Sequence, residues 1–277
     1  MEDDVRRILL TELIDDAGLF PPARKPMEQA VADHRAARGG PHSWMLGRFL
    51  CPASRLDELA AAGADAGRRV GAILDGDDWR ADLERARAHD DVVLVEARKP
   101  LDGVAEFLEE AGPIEVFLEV LSRDPRELTA ALEDLAVAGA GAKLRCGGLT
   151  PDAFPPDAAV AHFIRECIRL ALPFKATAGL HHPFRARDEE IGVLQHGFVN
   201  LLAAAAFPQA DAEAIVAEED PQAFTLTATS FGWRDHLAGP DEAPAARALF
   251  TAYGSCSFAE PVDDLTAHGI LEAPARA

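Results

Sequence analysis

Basic residues are in short supply. Against 47 aspartates and glutamates the chain carries 27 lysines and arginines, a formal net charge of −20. Non-specific nucleic-acid binding needs a basic face that displaces counterions, so no nucleic-acid partner is expected. Anionic membrane surfaces are disfavoured on the same ground. The acidic shell still admits a small anionic substrate, because a local cluster of lysine and arginine overrides the global field. Cysteine is scarce too: Cys51, Cys146, Cys167 and Cys256 lie far apart without a CxxC pair. They are expected to be free thiols of a reduced, cytoplasmic protein. No apolar run reaches the roughly 20 residues that span a bilayer, so no membrane partner is expected. The N-terminus, MEDDVRRILL, opens on acids and not on the basic region of a secretory signal. Nor is there a GxGxxG after the early strands, a GxxxxGK[ST] loop, or HxH or HExxH spacing. No cofactor is expected.

What is present is a rhythm. The 277 residues are 48% hydrophobic, enough for a sizeable core. Short apolar runs alternate with amphipathic segments: RRVGAILDG then DDWRADLERARAHD, DVVLVEARKP then LDGVAEFLEEAG, PIEVFLEVLS then DPRELTAALEDLAVAG. Near-continuous apolar strands between helices mark a parallel sheet covered on both faces. The pattern predicts eight strands, near residues 9–15, 44–50, 69–74, 92–97, 114–120, 142–146, 173–178 and 224–231. The segment HGFVNLLAAAAF could be either a buried helix or a strand. Eight units in this length fit an α/β fold of the (β/α)8 TIM-barrel type. It would be one domain over residues 1–277, with 240–277 as C-terminal helix and tail. The rival is an open doubly wound sheet, which lacks its fingerprint here. A homo-oligomer is compatible with this composition.

Two lysines interrupt the apolar rhythm. Lys143 and Lys175 each sit inside a strand pattern, 32 residues apart, which places them on neighbouring strands. A buried lysine is costly unless something uses or neutralises its charge. Barrel active sites lie at the C-terminal ends of the strands, so polar residues there are the candidates. They are Asp15 and Asp16, Arg48 and Cys51, Asp75, Glu96 and Arg98, Glu119, Lys143, Arg145 and Cys146, Lys175 and Thr177, His181 and His182, Thr229 and Ser230. Strand alternation puts Glu96 with Arg98, Lys143 with Arg145, and Lys175 with Thr177 on one face each. Val95, Leu144 and Ala176 fall on the other, apolar face. An inward cluster of both signs has the composition of an active site; the bland alternative is a structural ion-pair network.

The run from Ile114 to Gly179 resembles the second half of the deoxyribose-phosphate aldolase family. The matching pieces are IEVFLEV, the turn AGAGA, Lys143 in KLRCGG, the helix AAVAHFIRECIRL, and Lys175 in FKATAG. The resemblance covers about a quarter of the chain and leaves the N-terminal half unmatched. Leu144, Arg145 and Cys146 replace the family's threonine-serine-threonine run, and LHHPF follows Gly179. It implies a barrel and a Schiff-base lysine, Lys143, with Lys175 as a second cation. A neutral amine adds to an aldehyde or ketone, and nearby cations in a dry site expose it. Glu96, Glu119 or His181 would then move protons, and Arg48, Arg98, Arg145, Cys146, His182 and Ser230 would bind a small oxygenated anion. The expected activity is a carbon–carbon lyase or related isomerase. Three alternatives stay open: Lys143 and Lys175 as plain anion anchors, a metal-dependent lyase or hydrolase using His181 or His182 with carboxylates, and a non-catalytic scaffold barrel. Cys146 beside Arg145 could be an activated thiol, but a packed strand-end thiol is the commoner outcome; Cys256 reads as structural.

Overall fold

Parallel strands cannot be joined by tight turns, so each apolar segment needs a helical crossover before it can pair with the next. The computed structural model describes residues 4–63, 67–97, 103–120, 122 and 124–272, and closes this pattern into an eight-stranded parallel barrel. Helix α1 (Val5–Leu10) precedes β1 (Ile14–Asp16). Then come α2 (Met27–Arg38), β2 (Leu46–Pro52), α3 (Leu56–Ala61), β3 (Val70–Leu74), α4 (Trp79–Arg87) and β4 (Val92–Ala97). The series continues through α5 (Val104–Ala111), β5 (Glu115–Glu119), α6 (Pro125–Ala138), β6 (Gly141–Arg145), α7 (Asp157–Leu170) and β7 (Phe174–Thr177). Local chemistry starts these helices where the crossovers need them. The Asp124 carboxylate accepts from the free amides of Arg126 and Glu127, and Pro125 fits the first turn of α6 without losing a bond.

Beyond β7 the chain departs from simple alternation. A hairpin of β8 (Ala186–Asp188) and β9 (Val193–Gln195) leads into α8 (Phe198–Ala206) and α9 (Ala212–Ala217). Strands β10 (Phe224–Leu226), β11 (Phe231–Trp233) and β12 (His236–Ala238) form a separate antiparallel sheet. Helix α10 (Ala243–Leu249), β13 (Phe250–Ser255) and α11 (Ala259–Ala267) complete the described chain. Among the described residues no helix is long and apolar enough to cross a membrane.

Two strand assignments are corrected. Residues 9–15 are not one strand: Leu9 and Leu10 end α1, and only Ile14–Asp16 pair in the barrel. The eighth barrel strand is not 224–231 but β13, which joins β1 to β7 and closes the wall. The alternating Phe224, Leu226, Phe231 and Trp233 do form strands, but they pair with one another outside the barrel. Strand β13 hid because it follows α10 at Leu249 without an intervening glycine or proline, so the helical pattern reads straight across the junction.

Side-chain size inside the barrel is matched across strands. Gly141 of β6 pairs with Phe117 of β5, and a Cβ at position 141 would stand 2.3 Å from the Phe117 ring. The ring is buried and lies 5.8 Å from Lys175 Nζ. Gly141→Ala is therefore expected to destabilise the protein by about 1–3 kcal/mol through overpacking. Urea denaturation checks this: the midpoint falls and the slope stays constant.

Candidate active site

Strand alternation turns one set of side chains into the barrel and the other into the helical layer. On β1 this separates two adjacent aspartates. Asp16 accepts from the Gly18 amide and lies 3.0 Å from His34 Nδ1 of α2. Asp15 is fully buried; it accepts from the Arg48 amide at 2.7 Å and from Lys175 Nζ at 2.5 Å. Lys175 donates also to Glu96 Oε1 at 2.6 Å. The other Glu96 oxygen lies 2.8 Å from Lys143 Nζ, which stands 3.4 Å from Glu119 Oε2. Arg145 Nε donates to Glu119 Oε1 at 3.0 Å. At the other end the Arg48 guanidinium lies 3.7 Å from Asp15 and donates to Glu115 at 2.6 Å. The result is an unbroken line of alternating charge: Arg48, Asp15, Lys175, Glu96, Lys143, Glu119, Arg145.

Registry explains the line. Lys143 pairs with Lys175 across β6 and β7, and with Glu119 across β5 and β6. Burial alone would favour neutral Glu96, but the ammonium groups of Lys143 and Lys175 outweigh it and bring its carboxyl to about 2. Burial likewise works against charged Lys175, yet Asp15 and Glu96 raise it above the ordinary lysine value. Lys175 is a held cation and Glu96 a held anion. Glu119 Oε2 differs, since it is buried and has no aligned hydrogen-bond donor.

This line ends at a cavity of about 440 Å³ on the C-terminal side of the barrel. One wall is apolar, from Ala17, Phe20, Leu50 and Ile73. The other carries Glu96, Lys143, Arg145, Thr177 and His181. Asp188, Glu190 and Gln195, on and between β8 and β9, contribute part of its lining. His181 donates through Nδ1 to Glu260 at 3.1 Å, with the Cys256 sulfur 3.9 Å from the same nitrogen. The sulfur and the carboxylate together favour the imidazolium and bring His181 to about 10. An apolar wall facing charged groups of both signs has the make-up of a small-molecule site.

The other sequence-predicted candidates lie elsewhere. Arg48 is third in the seven-residue β2 and bonds to Glu115 at the start of β5, so it sits at the floor and not at the mouth. The Cys146 thiol is buried away from solvent, which pushes its pKa up. His182 turns to Asp264 of α11 at 2.6 Å and is absent from the cavity lining. Ser230 closes a turn with Thr227 outside the barrel. Arg98 lies outside the described residues. Among the described residues no three His, Cys, Asp or Glu side chains are grouped to hold a metal ion. Asp15, bonded to Lys175, and Cys256, in the cavity lining, are the neighbours that residue patterns underrated. The pair IDD before AGLF signals a strand end carrying carboxylates, and Cys256 could be placed only once β13 was. Compared with known proteins, the chain matches no family model, and no curated protein sequence resembles it significantly.

Proposed function

We propose that this barrel is a lysine-dependent carbon–carbon lyase of the Schiff-base type, acting on a small oxygenated anion that carries an aldehyde or ketone. The observation that supports it most is Lys143: a buried lysine lining a cavity, set between two carboxylates and one carboxylate away from a second lysine. Imine formation uses the neutral amine, and the neighbouring carboxylates keep other partners when Lys143 takes that form. Asp15, Glu96 and Glu119 have Arg48, Lys175 and Arg145 as partners, so neutral Lys143 leaves no buried carboxylate without a cation. The resemblance of Ile114 to Gly179 to the deoxyribose-phosphate aldolase family points the same way.

The steps follow from these positions. The Lys143 lone pair forms an N–C bond to the substrate carbonyl carbon, and the carbonyl oxygen takes a proton. Loss of water from the carbinolamine leaves an iminium ion. Its electron demand weakens the bond between the α and β carbons; that bond breaks, its electrons form an enamine, and the β-hydroxyl loses its proton. Protonation of the enamine and hydrolysis then free Lys143. Glu119, with an oxygen lacking a donor 3.4 Å from Nζ, suits the proton transfers. Glu96, at about 2, is a fixed anion that orients both lysines. Arg145 and the His181 imidazolium face the substrate's anionic group.

Borohydride reduction in the presence of aldehydes and ketones of about three to six carbons tests this. One reduced adduct per chain, on the peptide carrying Lys143, is expected. An adduct confined to surface lysines, or none across the panel, sinks the imine and leaves Lys143 as an anion anchor.

A further inference from the structure

The four cysteines are not equivalent. Cys51, Cys146 and Cys167 are fully buried, and burial raises all three thiols, Cys51 to about 12. Cys256 is 9% exposed and lines the cavity. It follows directly on β13 and is held from both sides: Ser255 Oγ donates to the Ser257 carbonyl at 2.7 Å, and Ser257 Oγ accepts from the Glu260 amide at 3.2 Å. Its sulfur stands 3.9 Å from His181 Nδ1, and Glu260 binds that nitrogen at 3.1 Å. Glu260 orients the ring and keeps a cation beside the sulfur. The sulfur therefore meets the cavity with a cation at its side, the setting in which a thiol serves as a nucleophile. None of the steps at Lys143 uses this thiol.

We propose that Cys256 is a modification site on the cavity wall, taking low-molecular-weight disulfides by thiol–disulfide exchange beside His181. The Cys256 thiolate attacks one sulfur of the disulfide along the S–S axis. A new S–S bond to Cys256 forms as the old one breaks, and the second sulfur leaves with the bonding pair as a thiolate, which takes a proton from water. Cys256 is oxidised and the departing sulfur is reduced, so no further oxidant is needed. The adduct projects into the cavity that Lys143 lines, and a dithiol removes it.

The test uses the full chain without any carbonyl compound, so its outcome is independent of the imine. Oxidised glutathione, and separately iodoacetamide, are added to folded protein, followed by intact-mass and peptide mapping. One adduct per chain on the Cys256 peptide is expected, absent from Cys256→Ser and released from the glutathione case by dithiothreitol. His181→Gln, checked for a wild-type far-ultraviolet spectrum, is expected to slow iodoacetamide labelling about tenfold. Labelling of Cys51, Cys146 or Cys167 in preference to Cys256, or no adduct, overturns the proposal. So does an unchanged rate in a folded His181→Gln.

Discussion

Lys143→Arg is expected to abolish the borohydride-trapped adduct and to lower turnover by on the order of 10⁴-fold or more, with the fold close to wild type in stability. The arginine separates two roles that a lysine combines. It keeps a cation between Glu96 and Glu119 and keeps any attraction for an anion, but its guanidinium stays protonated and forms no imine. Stability is spared because neither carboxylate depends on Lys143 alone. Glu96 keeps Lys175 at 2.6 Å and Glu119 keeps Arg145 at 3.0 Å. Lys143→Met is expected to lose the same activity at a cost of about 1–2 kcal/mol. Steady-state kinetics on the best substrate of the trapping panel, with urea denaturation of both variants, reads out the two effects. Turnover retained in the arginine variant would reassign Lys143 to charge stabilisation.

What residue patterns revealed depended on how local the cause was. Strands β2 to β7 fell within two residues of their expected limits, because each is an apolar run of five or so residues between amphipathic helices. The two lysines could be placed on adjacent strands for the same reason, and β6 and β7 pair them directly. Closure of the barrel has no local cause. It brings β1 against β13, Asp15 beside Gly254, from opposite ends of the chain. A threonine- and aromatic-rich segment imitated the eighth strand, and with it Ser230 was drawn towards the site. Cys256 was correspondingly passed over, since its position follows only from β13.

Side-chain direction was the second gap. Arg48 and Arg145 are both arginines on inward faces, but one sits low on a seven-residue strand and reaches the floor, whereas the other ends its strand at the cavity. Alternation gives the face, not the height, and the stagger of a closed barrel sets the height. His181 and His182 were separable as neighbours that point apart. Which one meets the cavity depends on Glu260 and Asp264 of α11, about eighty residues further on.

Lys175→Met is expected to do the reverse of Lys143→Arg, costing about 3–5 kcal/mol of stability by stranding buried charge. Asp15 would keep only the Arg48 guanidinium at 3.7 Å and its amide, and Glu96 would keep only Lys143. The pH dependence identifies the cause. Glu96 titrates near 2 in the folded protein against an ordinary 4.5. A depressed carboxyl contributes stability above its unfolded value and loses it as pH falls through the folded one. Wild type should therefore lose on the order of 3 kcal/mol from this residue between about pH 4.5 and 2. Removing Lys175 takes away one of the two ammonium groups that hold Glu96 down, so the variant's acid limb should be shallower. Urea denaturation from pH 7 down to about pH 3 should show two stability curves, far apart at neutrality and converging in acid. Parallel curves would mean that Lys175 does not hold Glu96 charged, and that the alternating line of charge is a row of independent pairs.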